Sequence, residues 1–322
     1  MGSRCTPEWP FTQSFLHPRH LKKSSGHLLD GPASIFGFIT EHRSQYGVKE
    51  MCRVFGVSRS RYYAQLKTGA TQRQREDQAL LVDIKTVFDA SDRTYGAGRI
   101  GEELREQGTR VGKNRIWRLM KQHGLRVKTT KRFKVTTNSD HKRPVAPNLV
   151  KRNFSAEAPD RLWTGDITYI WTAEGWLYLA VILDVFSRRI VGWRMDKRMT
   201  DELVITAFNN ALVRRCPNRG LIFHSDRGSQ YCSKRFQRVV QGAGGQQSMS
   251  GTGNCYDNAI TESFFGTLKR ELVHHCSFKT RAEAKSQIFR YIEGFYNRRR
   301  RHSALGYKAP ETYERQFFKL AA

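Results

Sequence analysis

At Pro159 the apolar period of the chain changes from helical to strand-like, and that switch limits what the second half can fold into. Leu162, Thr164, Asp166, Thr168 and Ile170 alternate with Trp163, Gly165, Ile167, Tyr169 and Trp171, the two-residue repeat of a strand with two distinct faces. The bulky face is expected to be buried. The other sets Asp166 between two small hydroxyl residues, and a carboxylate in mid-strand with room beside it is unusual for a structural residue.

The segments that follow predict an α/β unit. Gly175 turns the chain into Trp176–Phe186, apolar on both faces and therefore read as a central strand. Ser187-Arg-Arg189 turns again into Ile190–Met195, completing an antiparallel meander. A helix is expected over 200–215, with Leu203, Ala207 and Leu212 near one face. Leu221–Asp226 reads as a short buried strand that ends in a carboxylate, before the loop 227–231. Open α/β sheets place their chemistry at such carboxyl ends. A helix over 233–242 and a strand over 246–250 come next, then the glycine-containing loop from Gly251 to Asn254.

A helix starting near Asp257 carries the third acid. At about 100° per residue, Asn258, Glu262 and Lys269 fall within about 40° of one another, while Ile260, Phe264 and Leu268 lie roughly opposite. Glu262 alone would be an ordinary solvated glutamate. With Asp166 and Asp226 in the same unit it becomes the third member of a candidate metal site. Mg²⁺ suits such a site, being a hard ion that takes carboxylate oxygens and waters, and no His or Cys cluster offers a softer one. Asp184, at the end of the second strand, is a fourth acid whose expected role is strand-end hydrogen bonding. Asp257 is expected to cap the helix.

Charge bears on the partner. The 322 residues hold 56 Lys plus Arg against 29 Asp plus Glu, a net +27, which repels itself in a compact state unless a polyanion neutralises it. Nucleic acid fits, because each phosphate contact releases a condensed counterion; a generally basic, ribosome-like protein would show the same balance. The six cysteines are scattered without zinc spacing and read as reduced thiols. The longest apolar run, 176–183, is too short to span a bilayer, and the amino terminus lacks a signal peptide's hydrophobic stretch. The expectation is a cytoplasmic, nucleoid-associated protein with no membrane partner.

The first half is helical. Residues 1–32 have no usable period and read as a disordered extension. Over 33–68, Ile35, Phe38 and Ile39 share a face, Val48–Phe55 makes a second short helix, Gly56 supplies a turn, and Ser58 caps a basic helix with Arg59, Arg61, Tyr62 and Tyr63. This is helix-turn-helix grammar, with an ordinary helical hairpin equally open. A second unit spans 77–125. Leu80, Leu81, Ile84, Val87 and Phe88 form one stripe, the 95–98 stretch breaks it, and the helix from Lys113 buries Ile116, Leu119 and Met120. Its outward residues Asn114, Arg115, Arg118 and Lys121 suit phosphates and base edges, which favours DNA binding over a merely solvated face. Residues 126–155 read as a basic linker, with nine Lys or Arg and one acid over 126–152.

Five stretches together carry a resemblance. They are Trp163-Thr-Gly-Asp166-Ile-Thr-Tyr169, Asp184-Val-Phe-Ser-Arg-Arg189, His224-Ser-Asp226-Arg-Gly-Ser-Gln-Tyr231, Tyr256-Asp-Asn-Ala-Ile-Thr-Glu262-Ser-Phe-Phe265, and Tyr296-Asn-Arg-Arg-Arg-Arg-His302 with Tyr307 beyond. Residues 33–316 resemble the second-frame (OrfB-type) product of the insertion-sequence family numbered three, transposases whose catalytic domain is similar to retroviral integrase. Thirty-five residues separate Asp226 from Glu262, and Lys269 stands seven beyond, as in that superfamily's acidic triad. The extension before residue 33 falls outside the pattern, which leaves the position of the start codon open.

The resemblance implies a ribonuclease-H-like fold over 156–275: a mixed five-stranded sheet flanked by helices, preceded by the all-α units and followed by a basic helical tail over 276–322. It implies that Asp166, Asp226 and Glu262 bind two Mg²⁺ ions, with Mn²⁺ as a substitute, in cleavage and strand transfer through a 3′-OH and a circular intermediate. Lys269, Asn258, Arg298 and His302 are expected to contact DNA, both insertion-sequence ends and target. A homo-oligomer on DNA is expected, acting alone or with an upstream-frame (OrfA-type) partner. A nuclease that never joins strands, and a DNA-binding regulator with a relic core, are the competing readings; the intact set of three acids argues against the relic.

Overall fold

A computed structural model describes residues 31–67, 71–128, 145–151, 153–251 and 259–321. The chain divides into two compact units whose boundary falls at Leu80. The expected extension lies, apart from its last two residues, outside the described residues.

The first unit holds α1 (Pro32–His42), α2 (Val48–Phe55) and α3 (Arg59–Lys67). Gly56 ends α2 in the left-handed conformation at φ 67°, its amide returning to the helix's last carbonyls. Ser58 Oγ accepts from the Arg61 amide at 3.4 Å at the start of α3. Phe36, Ile39, Met51, Cys52 and Tyr62 close a small core. Tyr62, on the basic helix, therefore faces inward, and Arg59, Arg61 and Tyr63 face out.

The helix α4 (Gln72–Ala90) crosses the boundary. It begins five residues before the expected start because Thr71 and Gln74 form a reciprocal cap: the Thr71 amide donates to Gln74 Oε1 at 2.7 Å and the Gln74 amide to Thr71 Oγ1 at 3.2 Å. Its stripe from Leu80 to Phe88 is buried as expected. Next come α5 (Ala97–Glu106) and α6 (Lys113–Gln122), which pack on each other with Ile100, Leu104, Ile116, Leu119 and Met120 buried.

Residues 129–144 of the expected linker lie outside the described residues. Its later part is not free. The Leu149 amide donates to Ser248 Oγ at 2.9 Å, and the Met249 amide reaches the Pro147 carbonyl at 3.4 Å, so unpaired backbone groups at a sheet edge find partners there.

The sheet contains β1 (Leu162–Thr172), β2 (Gly175–Asp184), β3 (Ile190–Asp196), β4 (Ile222–Ser225) and β5 (Gln246–Met249), in the order β3-β2-β1-β4-β5. The first three strands are antiparallel neighbours, while β4 and β5 run parallel to β1. β2 is paired on both sides, as its two apolar faces predict, but the middle position belongs to β1. Helix α7 (Asp201–Arg215) packs on β2 and β3, α8 (Lys234–Gly242) on β5, and α9 (Ala259–Glu271) on β1. Trp163, Phe208, Phe223 and Phe236 fill the core between them. A mixed five-stranded sheet of this order, flanked by helices, is the ribonuclease-H-like fold.

One expectation for β1 fails at its far end. Trp171 is 60% exposed, because β4 pairs only with Leu162–Gly165 and β1 outruns it from Asp166 onward. Beyond the sheet, α10 (Arg281–Phe289) continues into a wider π-helical turn over 290–296, and α11 (Pro310–Ala321) closes the described chain. Among the described residues no helix is long and apolar enough to cross a membrane.

Candidate catalytic site

The strand register brings the first two acids side by side. Gly165 pairs with Ser225 at the end of the parallel β1–β4 ladder, so Asp166 and Asp226 are the next residues on the two chains where the ladder stops. Such an opening at the carboxyl end of a strand is where backbone groups no longer compete for the space. Asp166 Oδ1 accepts from the Ile167 amide at 2.7 Å, and Asp226 Oδ1 from the Gly228 amide at 2.9 Å. Gly165 is required by close approach. A Cβ there would lie 2.5 Å from Phe223 Cζ, so any side chain would push β4 away from β1 beside both acids.

The third acid arrives on α9. The buried Thr261 hydroxyl donates to Thr164 Oγ1 at 2.7 Å, and Glu262 is the next residue, exposed. Ile260, Phe264 and Leu268 are buried on the packed side, as the helical pattern predicts. Asn258 and Asp257 lie outside the described residues.

Lys269 is more enclosed than a solvated lysine. It is 7% exposed, and its Nζ lies 5.1 Å from the Tyr169 ring centroid, a cation–π distance. The sequence pattern puts it on the open side of the helix with Glu262, but it is buried. Burial lowers its pKa from the ordinary value, and Asp166 opposes that.

The electrostatics of the acids are strained. Burial pushes Asp166 well above the usual carboxylate range, the charges of Asp226 and Glu262 push it further, and the Ile167 amide and Lys269 pull it back. Burial and then Asp226 raise Glu262 as well. Like charges held together out of water favour protonation until a cation relieves them. Among the described residues no group of three or more His, Cys, Asp or Glu side chains is gathered tightly enough to hold a metal ion; the acids are neighbours without forming a finished cage. The donor set nonetheless fits Mg²⁺: carboxylate oxygens, with no thiolate or imidazole among the groups acting on Asp166.

Asp184 does what its position predicts. Its Oδ1 accepts from the Asp160 amide at 3.0 Å, and its Oδ2 from the Ser187 amide and hydroxyl at 3.0 and 2.7 Å. Burial pushes its pKa up to about 6. Ser187 Oγ also meets Glu314 of α11 at 2.7 Å, and Arg215 grips Glu314 and Asp160.

The remaining predicted contacts divide. Asn114 and Lys121 are exposed on α6, with Arg115 and Arg118 half-buried. Between them stands Trp117, 58% exposed under Lys121 Nζ at 5.3 Å. Sequence reasoning passed over it, although it lies three and four residues from Asn114 and Lys121. In the tail, Arg298 remains exposed beside Glu311 at 3.6 Å. His302 does not. Its ring is half-buried, edge-on to Tyr296 at 4.9 Å, and burial with the charges of Arg300, Arg99 and Arg188 lowers its pKa to about 2.

The tail is thus not a uniformly basic helix turned outward. Arg300 is chelated by Glu271 at 2.7 and 2.8 Å, and Arg301 reaches Glu103 and Glu106 of α5 at 2.6 Å each. Tyr95 Oη donates to the Arg299 carbonyl and accepts from the Arg301 amide, both at 2.9 Å. Two of the four consecutive arginines therefore fasten elements of the fold together, Arg300 to the buried Glu271 and Arg301 to Glu103 and Glu106 on α5.

The chain is similar to known proteins along most of its length. An integrase core domain family matches residues 156–255, a second integrase core domain family matches 243–310, and an HTH-like domain family matches 74–133. The 31 kDa protein of insertion element IS600 from Shigella sonnei is 47% identical over 272 residues, covering 84% of this chain and 100% of that protein. The catalytic core domain of HTLV-2 integrase, solved in complex with magnesium, aligns with a TM-score of 0.39 and 19% identity, over 50% of this chain and 99% of that one. Transposase InsF for insertion sequence IS3A from Escherichia coli (strain K12) is 42% identical over 279 residues, covering 86% of this chain and 97% of the transposase. With that identity sustained across nearly the whole of its relatives, and with an HTH-like segment followed by integrase-core segments, the chain belongs to the IS3-type insertion-sequence transposases.

Proposed function

We propose that the protein cuts DNA at the ends of an insertion sequence and transfers the freed 3′-OH to a new phosphodiester, with Asp166, Asp226 and Glu262 holding the divalent cations. The observation that carries this reading is the juxtaposition of Asp166 with Asp226 where the β1–β4 ladder ends, with Glu262 close enough to raise Asp166. A trio of acids that disfavour one another's ionisation is a site for cations. When bound, two Mg²⁺ ions, or Mn²⁺ in their place, supply charge stabilisation at the attacking and leaving oxygens of an in-line displacement.

The chain's own residues do the rest. The Ile167 and Gly228 amides orient one oxygen of each aspartate. Glu262, on the exposed side of α9, lies where a DNA strand can reach it. Lys269 is the cation for a phosphate beside the acids, and Asn114, Arg115, Arg118, Lys121 and Arg298 meet phosphates and base edges further off. In the first step water adds to phosphorus and the 3′ oxygen leaves. In the second that 3′-OH adds to another phosphorus, so one P–O bond forms as one breaks and no external energy source is needed.

The partners are DNA, both element ends and target, and other copies of the chain on that DNA, with or without an upstream-frame partner. The protein works where chromosomal DNA is. The test is an assay on DNA carrying the element's terminal sequences, with Mg²⁺, Mn²⁺ or EDTA. Joined products in both metals and none in EDTA support the reading, cleavage without joining would make the protein a nuclease, and binding without cleavage would make it a regulator.

A further inference from the structure

Tyr231 occupies an unusual place beside the acids. Its ring belongs to the main core, 5.9 Å from Phe223 and 5.4 Å from Phe236 between centroids. The residue is 1% exposed, and among the described residues its hydroxyl is the buried side-chain polar atom that finds no hydrogen-bond partner. Phenylalanine would fill the same volume. Leaving a hydroxyl buried and unpaired costs about 1–3 kcal/mol, so packing gives no reason for the oxygen.

What surrounds the hydroxyl gives one. Both Asp166 and Asp226 act on it electrostatically, and the loop that carries it is built on Asp226. Gly228 donates to Asp226 Oδ1 through its amide and accepts from the Tyr231 amide through its carbonyl, at 2.9 and 3.0 Å. The Tyr231 carbonyl is in turn held by Gln247 Nε2 at 2.8 Å. Ring and backbone are fixed, and the hydroxyl is unspent within electrostatic reach of both carboxylates.

We propose that the Tyr231 hydroxyl positions the Asp166–Asp226 pair for the cation, donating a hydrogen bond to one of their oxygens in the metal-loaded state. This rests on the reading of the acids given above. Carboxylates that ligate a metal are themselves held by hydrogen bonds, and removing such a partner typically weakens the metal about 10- to 100-fold. Tyr231 is thus a positioning residue that acts through the aspartates.

The test compares full-length wild type, Tyr231→Phe and Asp226→Asn, each measured for thermal stability without metal, for Mn²⁺ affinity by electron paramagnetic resonance, and for end joining. Tyr231→Phe should have a metal-free melting temperature equal to or above wild type, Mn²⁺ affinity lowered about 10- to 100-fold, and joining that recovers as Mn²⁺ is raised. Unchanged Mn²⁺ affinity would make the hydroxyl a packing feature and overturn the inference. A lower metal-free melting temperature would show that the hydroxyl is bonded inside the protein already, and would overturn it as well. Wild-type Mn²⁺ affinity in Asp226→Asn would instead sink the reading of the acids, whatever Tyr231→Phe does.

Discussion

Thr261 on α9 donates a 2.7 Å hydrogen bond to Thr164 on β1, tying the helix that carries Glu262 to the strand that carries Asp166. Both hydroxyls are fully buried. Thr261→Val keeps the shape and strands the Thr164 oxygen, so it should cost about 1–3 kcal/mol and lower joining more than DNA binding. Replacing both threonines by valine should cost less than the two single changes added together. Urea unfolding of wild type, both singles and the double measures this, and strict additivity would mean that the bond is not a coupling between helix and strand.

The outward face of α6 should read out as salt dependence. Arg118→Ala and Lys121→Ala should each reduce the slope of log affinity against log salt by about 1 if each side chain meets a phosphate. Binding of full-length protein to element-end DNA between about 50 and about 200 mM salt gives that slope. Unchanged slopes in both variants would return these side chains to the solvent.

Neighbouring arginines in the tail should behave oppositely. Arg300 and Glu271 are 6% and 9% exposed, and Arg300→Ala leaves the buried Glu271 carboxylate with the Tyr291 hydroxyl at 2.7 Å and Arg99 at 4.0 Å, a loss of the bidentate partner that should cost up to about 3–5 kcal/mol. Arg298, with 68% of its side chain exposed, should lose stability within about 0.5 kcal/mol when changed to Ala and show its effect in DNA affinity. Thermal unfolding of the two variants separates the roles. Equal destabilisation would contradict the division of the tail into internal ties and outer contacts.

Metal binding should be pH-dependent in a defined direction. The Asp166 and Glu262 carboxyls are raised in the folded protein, first by burial. Their contribution to metal-free stability is therefore complete below the unfolded pKa and is lost as pH rises through the folded values. A cation needs the ionised forms, so its affinity climbs over that same rise. The melting-temperature gain from Mg²⁺ should be small at about pH 5 and large at about pH 8. A gain independent of pH would mean that these carboxyls are not the ligands.

Much of this was legible before the fold was known. The two-residue repeat around Asp166, the acid ending β4 and the apolar side of α9 each fixed an element, because burial on one side leaves a period in the sequence. The middle position of β1 was not legible, since it depends on β4 pairing in parallel with only its first four residues. Nor was the inward turn of Arg300, Arg301 and His302. A run of basic residues looks alike whether it meets DNA or meets Glu271, Glu103 and Glu106, which are distant in sequence and nearby only after folding. Tyr231 escaped for the same reason: an unsatisfied hydroxyl is a property of its surroundings.

The most direct test is end joining by Asp226→Asn, with Asp166→Asn and Glu262→Gln beside it, on DNA carrying the element's termini in Mg²⁺. These changes preserve size and remove only ligating charge. Each variant should bind the DNA as wild type does, since the helices proposed to read DNA are elsewhere in the chain, and should lose joining by on the order of 10³-fold or more, equivalent to about 4 kcal/mol of transition-state stabilisation. Joining at the wild-type rate by Asp226→Asn would contradict the assignment of the acid site.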